Sequence, residues 1–88
     1  MRIMYLILNL LYSTEARSKL IALTQKEIIE ALADDGESWN ERTIYNKLRE
    51  LEKNNYVGAG FKKGNAKTFF IRPEGIAWME DAEREVNE

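Results

Sequence analysis

The sequence predicts a small α+β domain, mostly helical, on three observations. Two Ser/Thr-led capping boxes open two helices in close succession. Two β-prone runs then flank a Gly-Asn turn, and apolar stripes of helical period lie at both ends of the chain. The 88 residues suit one domain spanning 1–88, and a 44% hydrophobic composition supplies its core. The expected order is helix, short strand, helix, helix, strand, strand, helix.

The first helix is expected over about residues 3–13. The run Ile3-Met4-Tyr5-Leu6-Ile7-Leu8-Asn9-Leu10-Leu11-Tyr12 is apolar on nearly every side, with Asn9 the lone interruption. It is about half the ~20 residues a membrane span needs. A single arginine precedes it and no small-residue cleavage site follows, so a buried helix is expected rather than a span or a signal peptide. Two placements stand level: one face covered by a partner chain, or the whole helix packed under the C-terminal helix.

Residues 14–19 read as a loop and residues 20–23 as a short strand. Thr24-Gln25-Lys26-Glu27 is a capping box, opening a helix over 25–34 with Ile28, Ala31 and Leu32 on one face. Asp34-Asp35-Gly36 closes it. A second box, Ser38-Trp39-Asn40-Glu41, predicts a helix over 39–54 with Ile44, Leu48 and Leu51 as its core stripe. Asn54-Asn55 ends that helix, because Asn tolerates the left-handed conformation. Strands are expected over 56–61 and 66–71, joined by Lys62-Lys63-Gly64-Asn65, where Gly and Asn suit positive φ. Pro73-Glu74-Gly75 starts an acidic helix over 74–86, with Ile76, Met79, Ala82 and Val86 as its stripe and Trp78 on the margin.

Composition excludes much chemistry. The chain has neither cysteine nor histidine, so it has no disulfide, no Cys/His zinc site, no Ser-His-Asp triad and no imidazole base. No cluster joins a nucleophile, a base and a pocket signature, so neither an enzyme nor a cofactor is expected. A small domain without staples points to the cytoplasm.

The formal charge of −2 hides a dipolar chain. Residues 38–73 carry Arg42, Lys47, Arg49, Lys53, Lys62, Lys63, Lys67 and Arg72 against Glu41, Glu50 and Glu52, a net of +5. Residues 74–88 carry Arg84 against six acids, a net of −5. Local patches, not the mean, decide where an anion docks. With Ile44 at 0° on a helical wheel, Arg49 falls near about 140°, Arg42 near about 160°, Lys53 near about 180° and Asn46 near about 200°. Three cations and an amide therefore face away from the core stripe.

Thr43-Ile44-Tyr45-Asn46-Lys47-Leu48-Arg49-Glu50-Leu51-Glu52-Lys53-Asn54-Asn55-Tyr56-Val57 resembles the recognition-helix signature of PadR-like and related winged helix-turn-helix regulators. Phe69-Phe70-Ile71-Arg72-Pro73-Glu74-Gly75 is similar to their wing exit, and Leu23-Thr24-Gln25-Lys26-Glu27-Ile28 to the helix-2 opening of MarR-like regulators. The pieces occur in the expected order over about residues 23–76. Asn55 stands where those families have Gly, Arg72 where they have Thr, and helix 2 lacks the Gly-Tyr pair of PadR proteins.

The resemblance implies a winged helix-turn-helix that binds double-stranded DNA as a homodimer through its first and last helices, with its third helix in the major groove. Asn46 is then the best reader of adenine, and Arg42 reads guanine or holds a phosphate. Asn40 and Thr43 suit phosphate contact at the helix start. Arg49, Lys53, Lys62, Lys63 and Lys67 neutralise the backbone, with Lys47 and Asn65 in the same interface. About five phosphates imply a log–log salt slope of roughly −4 to −5. Trp39 is expected to pack rather than touch DNA, Tyr45 to lie at a boundary, and Phe61, Phe69 and Phe70 to be core. A winged-helix protein-interaction module, or a plasmid or phage replication or copy-control protein, are the alternatives.

Overall fold

A computed structural model describes residues 2–87. Their order is α1 (Arg2–Ser13), β1 (Leu23–Thr24), α2 (Gln25–Asp34), α3 (Glu41–Lys53), β2 (Val57–Ala59), β3 (Thr68–Ile71) and α4 (Pro73–Asn87). This is the predicted α+β, mostly helical order.

Helix α1 lies at the centre. Ile7, Leu8 and Leu11 are completely buried, with Ile3, Met4 and Leu10 nearly so. It packs on α2, α3, α4 and β3, so the chain's own elements account for its apolar character. Ile28 and Leu32 of α2, Ile44, Leu48 and Leu51 of α3, and Met79 of α4 complete the helical part of one core. Tyr5 Oη donates to Glu83 Oε2 at 2.9 Å, linking α1 to α4. That bond, with partial burial, raises the Tyr5 phenol above its ordinary pKa. Ile76 and Ala82 are half-buried along α4, while Val86, assigned to the same stripe, has a side chain outside the described residues.

The sheet order is β1-β3-β2, antiparallel throughout. Leu23 pairs with Phe69 and Thr24 with Thr68 on one side; Val57 pairs with Ile71 and Gly58 with Phe70 on the other. Phe69 and Ile71 face the core, as the two-residue period of a strand requires.

Four details depart from the sequence reading. Strand β1 begins at Leu23 rather than residue 20, leaving Leu20 83% and Ile21 55% exposed. The only partners β3 offers β1 are Thr68 and Phe69, so the strand is two residues long. Phe61 is 59% exposed instead of core, because β2 ends at Ala59, before the hairpin tip. Helix α3 is capped by Asn40, not Ser38: Asn40 Oδ1 accepts from the Thr43 amide at 2.8 Å. Asn and Ser are comparable N-caps, and here the later residue takes the extended conformation, so the helix starts at Glu41. In the hairpin turn only Gly64 takes positive φ (61°), and Asn65 does not.

Two sequence signals appear as drawn. Thr24 Oγ1 accepts from the Glu27 amide at 3.1 Å, and Glu27 Oε1 accepts from the Thr24 amide at 2.8 Å. Asn55 ends α3 in the left-handed region at φ 63°.

Candidate nucleic-acid interface

Helices α2 and α3, joined by a short turn, and the β2–β3 hairpin behind them form a winged helix-turn-helix. Gln25 Nε2, at the start of α2, donates to the Glu41 carbonyl at 3.0 Å, which ties the two helix openings together. The buried stripe Ile44, Leu48, Leu51 pins one side of α3, so its opposite side must face outward.

On that outward side Arg42, Asn46, Arg49 and Lys53 are all exposed. Among the described residues, none of these three cations has a carboxylate within ion-pair distance. The Arg49 guanidinium lies 5.8 Å from the centre of the Tyr45 ring, and Tyr45 is the boundary residue expected, 45% exposed. Lys47 lies toward the core-side flank, only 21% of its side chain exposed, with Glu50 at 3.9 Å. Thr43 is half-buried. Asn40 is exposed, but its carbonyl oxygen is committed to capping, leaving its amide to act outward.

The wing differs. Lys62 and Asn65 are exposed at its tip. Lys63 Nζ donates to both carboxylate oxygens of Glu27, at 2.9 and 3.1 Å. Lys67 Nζ donates to Glu52 Oε1 at 2.7 Å and lies 5.5 Å from the Phe69 ring centre. The Thr24 amide first, then the Lys63 ammonium, hold the Glu27 carboxyl below the usual carboxylate range. Between wing and helices runs a groove of about 500 Å³, lined by Lys26, Tyr45, Arg49, Glu52, Lys67 and Phe69 among others. Three of those side chains are cationic, and the Glu52–Lys67 pair lies on the groove wall.

Trp39 packs half-buried against the core. Two structural residues gained no role from sequence reasoning. Glu52 falls near about 80° on the helical wheel, between core and outer face, where nothing local distinguishes it from a solvated acid. Gly75 is needed for close packing: a Cβ there would collide with the Tyr56 carbonyl oxygen. Its presence in a helical first turn, where Gly is disfavoured, was the available signal.

Solved structures share this architecture. A transcriptional regulator from Clostridium thermocellum is 25% identical, with a TM-score of 0.76 over 96% of this chain and 79% of that one. A PadR family transcriptional regulator from Eggerthella lenta is 19% identical, with a TM-score of 0.76 over 93% of this chain and 71% of that one. A PadR-like transcription factor from Bacteroides fragilis is 17% identical, with a TM-score of 0.80 over 98% and 81%. No family model matches the sequence, and no curated protein does. The chain thus has a winged helix-turn-helix fold resembling that of PadR-like transcriptional regulators.

Proposed function

We propose that this chain is a sequence-specific double-stranded DNA-binding regulator. One observation carries the reading: the outward side of α3 presents Arg42, Arg49 and Lys53 with no carboxylate partner among the described residues, around an exposed Asn46. An unpaired cationic helix face beside a wing is the arrangement by which winged helices neutralise phosphates while a helix enters the major groove. In this reading Asn46 pairs bidentately with adenine, and Arg42 reads guanine or holds a phosphate. Arg49, Lys53 and Lys62 neutralise the backbone, while the Asn40 amide and Asn65 reach phosphates at the edges of the footprint. Binding rather than catalysis is the activity, and the cytoplasm is where it acts.

The dimer belongs to the same proposal. Half-sites about one helical turn apart need a two-fold interface, drawn here from α4 and the outer edge of α1. Tyr5, Leu6 and Tyr12 remain only half-buried along that edge, which supports the choice. No described helix is long and apolar enough to cross a membrane.

The test is a salt-titrated binding assay on random duplexes, followed by selection of the bound sequences. A log–log slope between about −3 and −5 per protomer, with enrichment of a symmetric site, is the expected result. A slope near zero removes the reading. Selection without enrichment at any salt favours a protein-interaction module instead. The exposed Leu20, Ile21 and Phe61 supply the surface for that second reading, brought together where the Phe61 amide donates to the Lys19 carbonyl.

A further inference from the structure

The two ion pairs of the wing cross between elements. Lys63–Glu27 joins residues 36 apart in sequence and fastens the hairpin tip to the start of α2. Lys67–Glu52 joins residues 15 apart and fastens the base of β3 to the last turn of α3. Isolated surface pairs contribute little, because two long side chains must be immobilised to form them. Here part of that immobilisation already exists. Glu27 is locked by its capping box, which it serves with the same Oε1 that meets Lys63. Lys67 lies over the Phe69 ring, and Glu52 projects from a helix whose neighbours Leu48 and Leu51 are buried.

We propose that Glu27 and Glu52 are wing-positioning residues that hold Lys63 and Lys67 as internal counter-charges, withholding them from DNA phosphates and setting where the wing stands beside α3. The inference rests on the DNA-binding reading above. It divides the basic surface into a working set (Arg42, Arg49, Lys53, Lys62) and a clasped set (Lys63, Lys67). Sequence-independent affinity comes almost wholly from neutralised phosphates, so clasping two lysines lowers binding to any duplex. It also narrows the expected salt slope toward the shallow end, about −3.6 per protomer for four neutralised phosphates.

The carboxylates can be neutralised without disturbing the fold around them. Glu27→Gln keeps the reach-back hydrogen bond of the capping box, which Gln supports as Glu does. Glu52→Gln keeps a polar acceptor at the same place. In the full chain, E27Q/E52Q is expected to tighten binding to a random duplex about five-fold per freed lysine near 0.15 M salt. The slope should steepen by about 0.9 for each. K63Q/K67Q in the otherwise unchanged chain should alter affinity less than two-fold, within about 0.4 kcal/mol. The same lysine changes placed on E27Q/E52Q should abolish its gain. If K63Q/K67Q instead weakens the unmodified protein by the full five-fold per lysine, the lysines exchange carboxylate for phosphate freely and the proposal fails.

A DNA-free readout separates this outcome from failure of the DNA reading. The Lys63 and Ala66 amides bond across the hairpin tip, each to the other's carbonyl at 3.0 Å. Their hydrogen exchange should speed up in E27Q/E52Q, relative to core amides, as the tip is released from α2. Unchanged exchange there overturns the clasp whether or not the chain binds DNA. Absence of any duplex binding by the unmodified chain, with exchange accelerated in the variant, overturns the DNA reading and leaves the positioning role standing.

Discussion

The outward side of α3 and the wing carry the same kinds of side chain under different conditions. On α3 the buried stripe forces Arg42, Arg49 and Lys53 outward, and their helical neighbours put no carboxylate within ion-pair reach. On the wing, the hairpin folds back over the opening of α2 and the last turn of α3, and Lys63 and Lys67 each meet an acid there. A helix displays its cations at angles set by its own period, whereas a hairpin displays them according to what it lands on. If the wing pairs hold, counting basic residues along the chain overstates the charge available to an anionic partner, and the difference concentrates in the wing.

The largest effect falls on α3. Charge reversal of both Arg42 and Arg49 should lower affinity for a random duplex about a hundred-fold, read by titration at fixed salt. Neutralising Lys63 and Lys67 together should stay within two-fold, and equal losses from both changes would erase the distinction.

Next in size is the seat of the wing. Gly75→Ala is expected to cost about 2–3 kcal/mol, measured by denaturant unfolding, because the new methyl meets the Tyr56 carbonyl oxygen. Alanine elsewhere in a helix stabilises relative to glycine, so an unchanged or raised stability would show that this contact does not constrain the hairpin.

The cap of α3 fixes where its outward face begins. Asn40→Ala should destabilise by about 1 kcal/mol, while Ser38→Ala stays within about 0.5 kcal/mol. The reverse ranking would return the cap to Ser38 and start the helix two residues earlier, leaving the outward face where the buried stripe Ile44, Leu48 and Leu51 puts it.

The smallest effect is the acid dependence of the clasp. The folded Glu27 carboxyl lies below its ordinary range, so its contribution is present above the unfolded value and is lost as pH falls through the folded one. Thermal melts from neutral pH to below about pH 4 should therefore fall less steeply for E27Q than for the unmodified protein. Parallel curves would mean that Glu27 gains nothing from Thr24 and Lys63 in the fold.

Much of this molecule was legible in its sequence. Each helix, the Thr24–Glu27 box, the stripe of α3 and the left-handed Asn55 follow from interactions spanning three or four residues, which a linear reading contains. The outward angles of Arg42, Asn46 and Arg49 follow from the same period. The central burial of α1 was one of two placements left level; its packing on α2, α3, α4 and β3 covers most of it within the chain and leaves the edge of Tyr5, Leu6 and Tyr12 half-buried. The exposure of Leu20, Ile21 and Phe61 depended on where strand pairing stops, which involves residues tens of positions away.

The order of elements, their faces and the segregation of a +5 block from a −5 tail are thus written in the sequence alone. Which of those charges meet depends on the packed fold. Lys63 and Glu27 are 36 residues apart, and nothing in their local context marks either as the other's partner. Short-range hydrogen bonds and side-chain period act along the chain and can be read there. Coulombic pairing between distant segments depends on distances that exist only once the hairpin has packed against the helices.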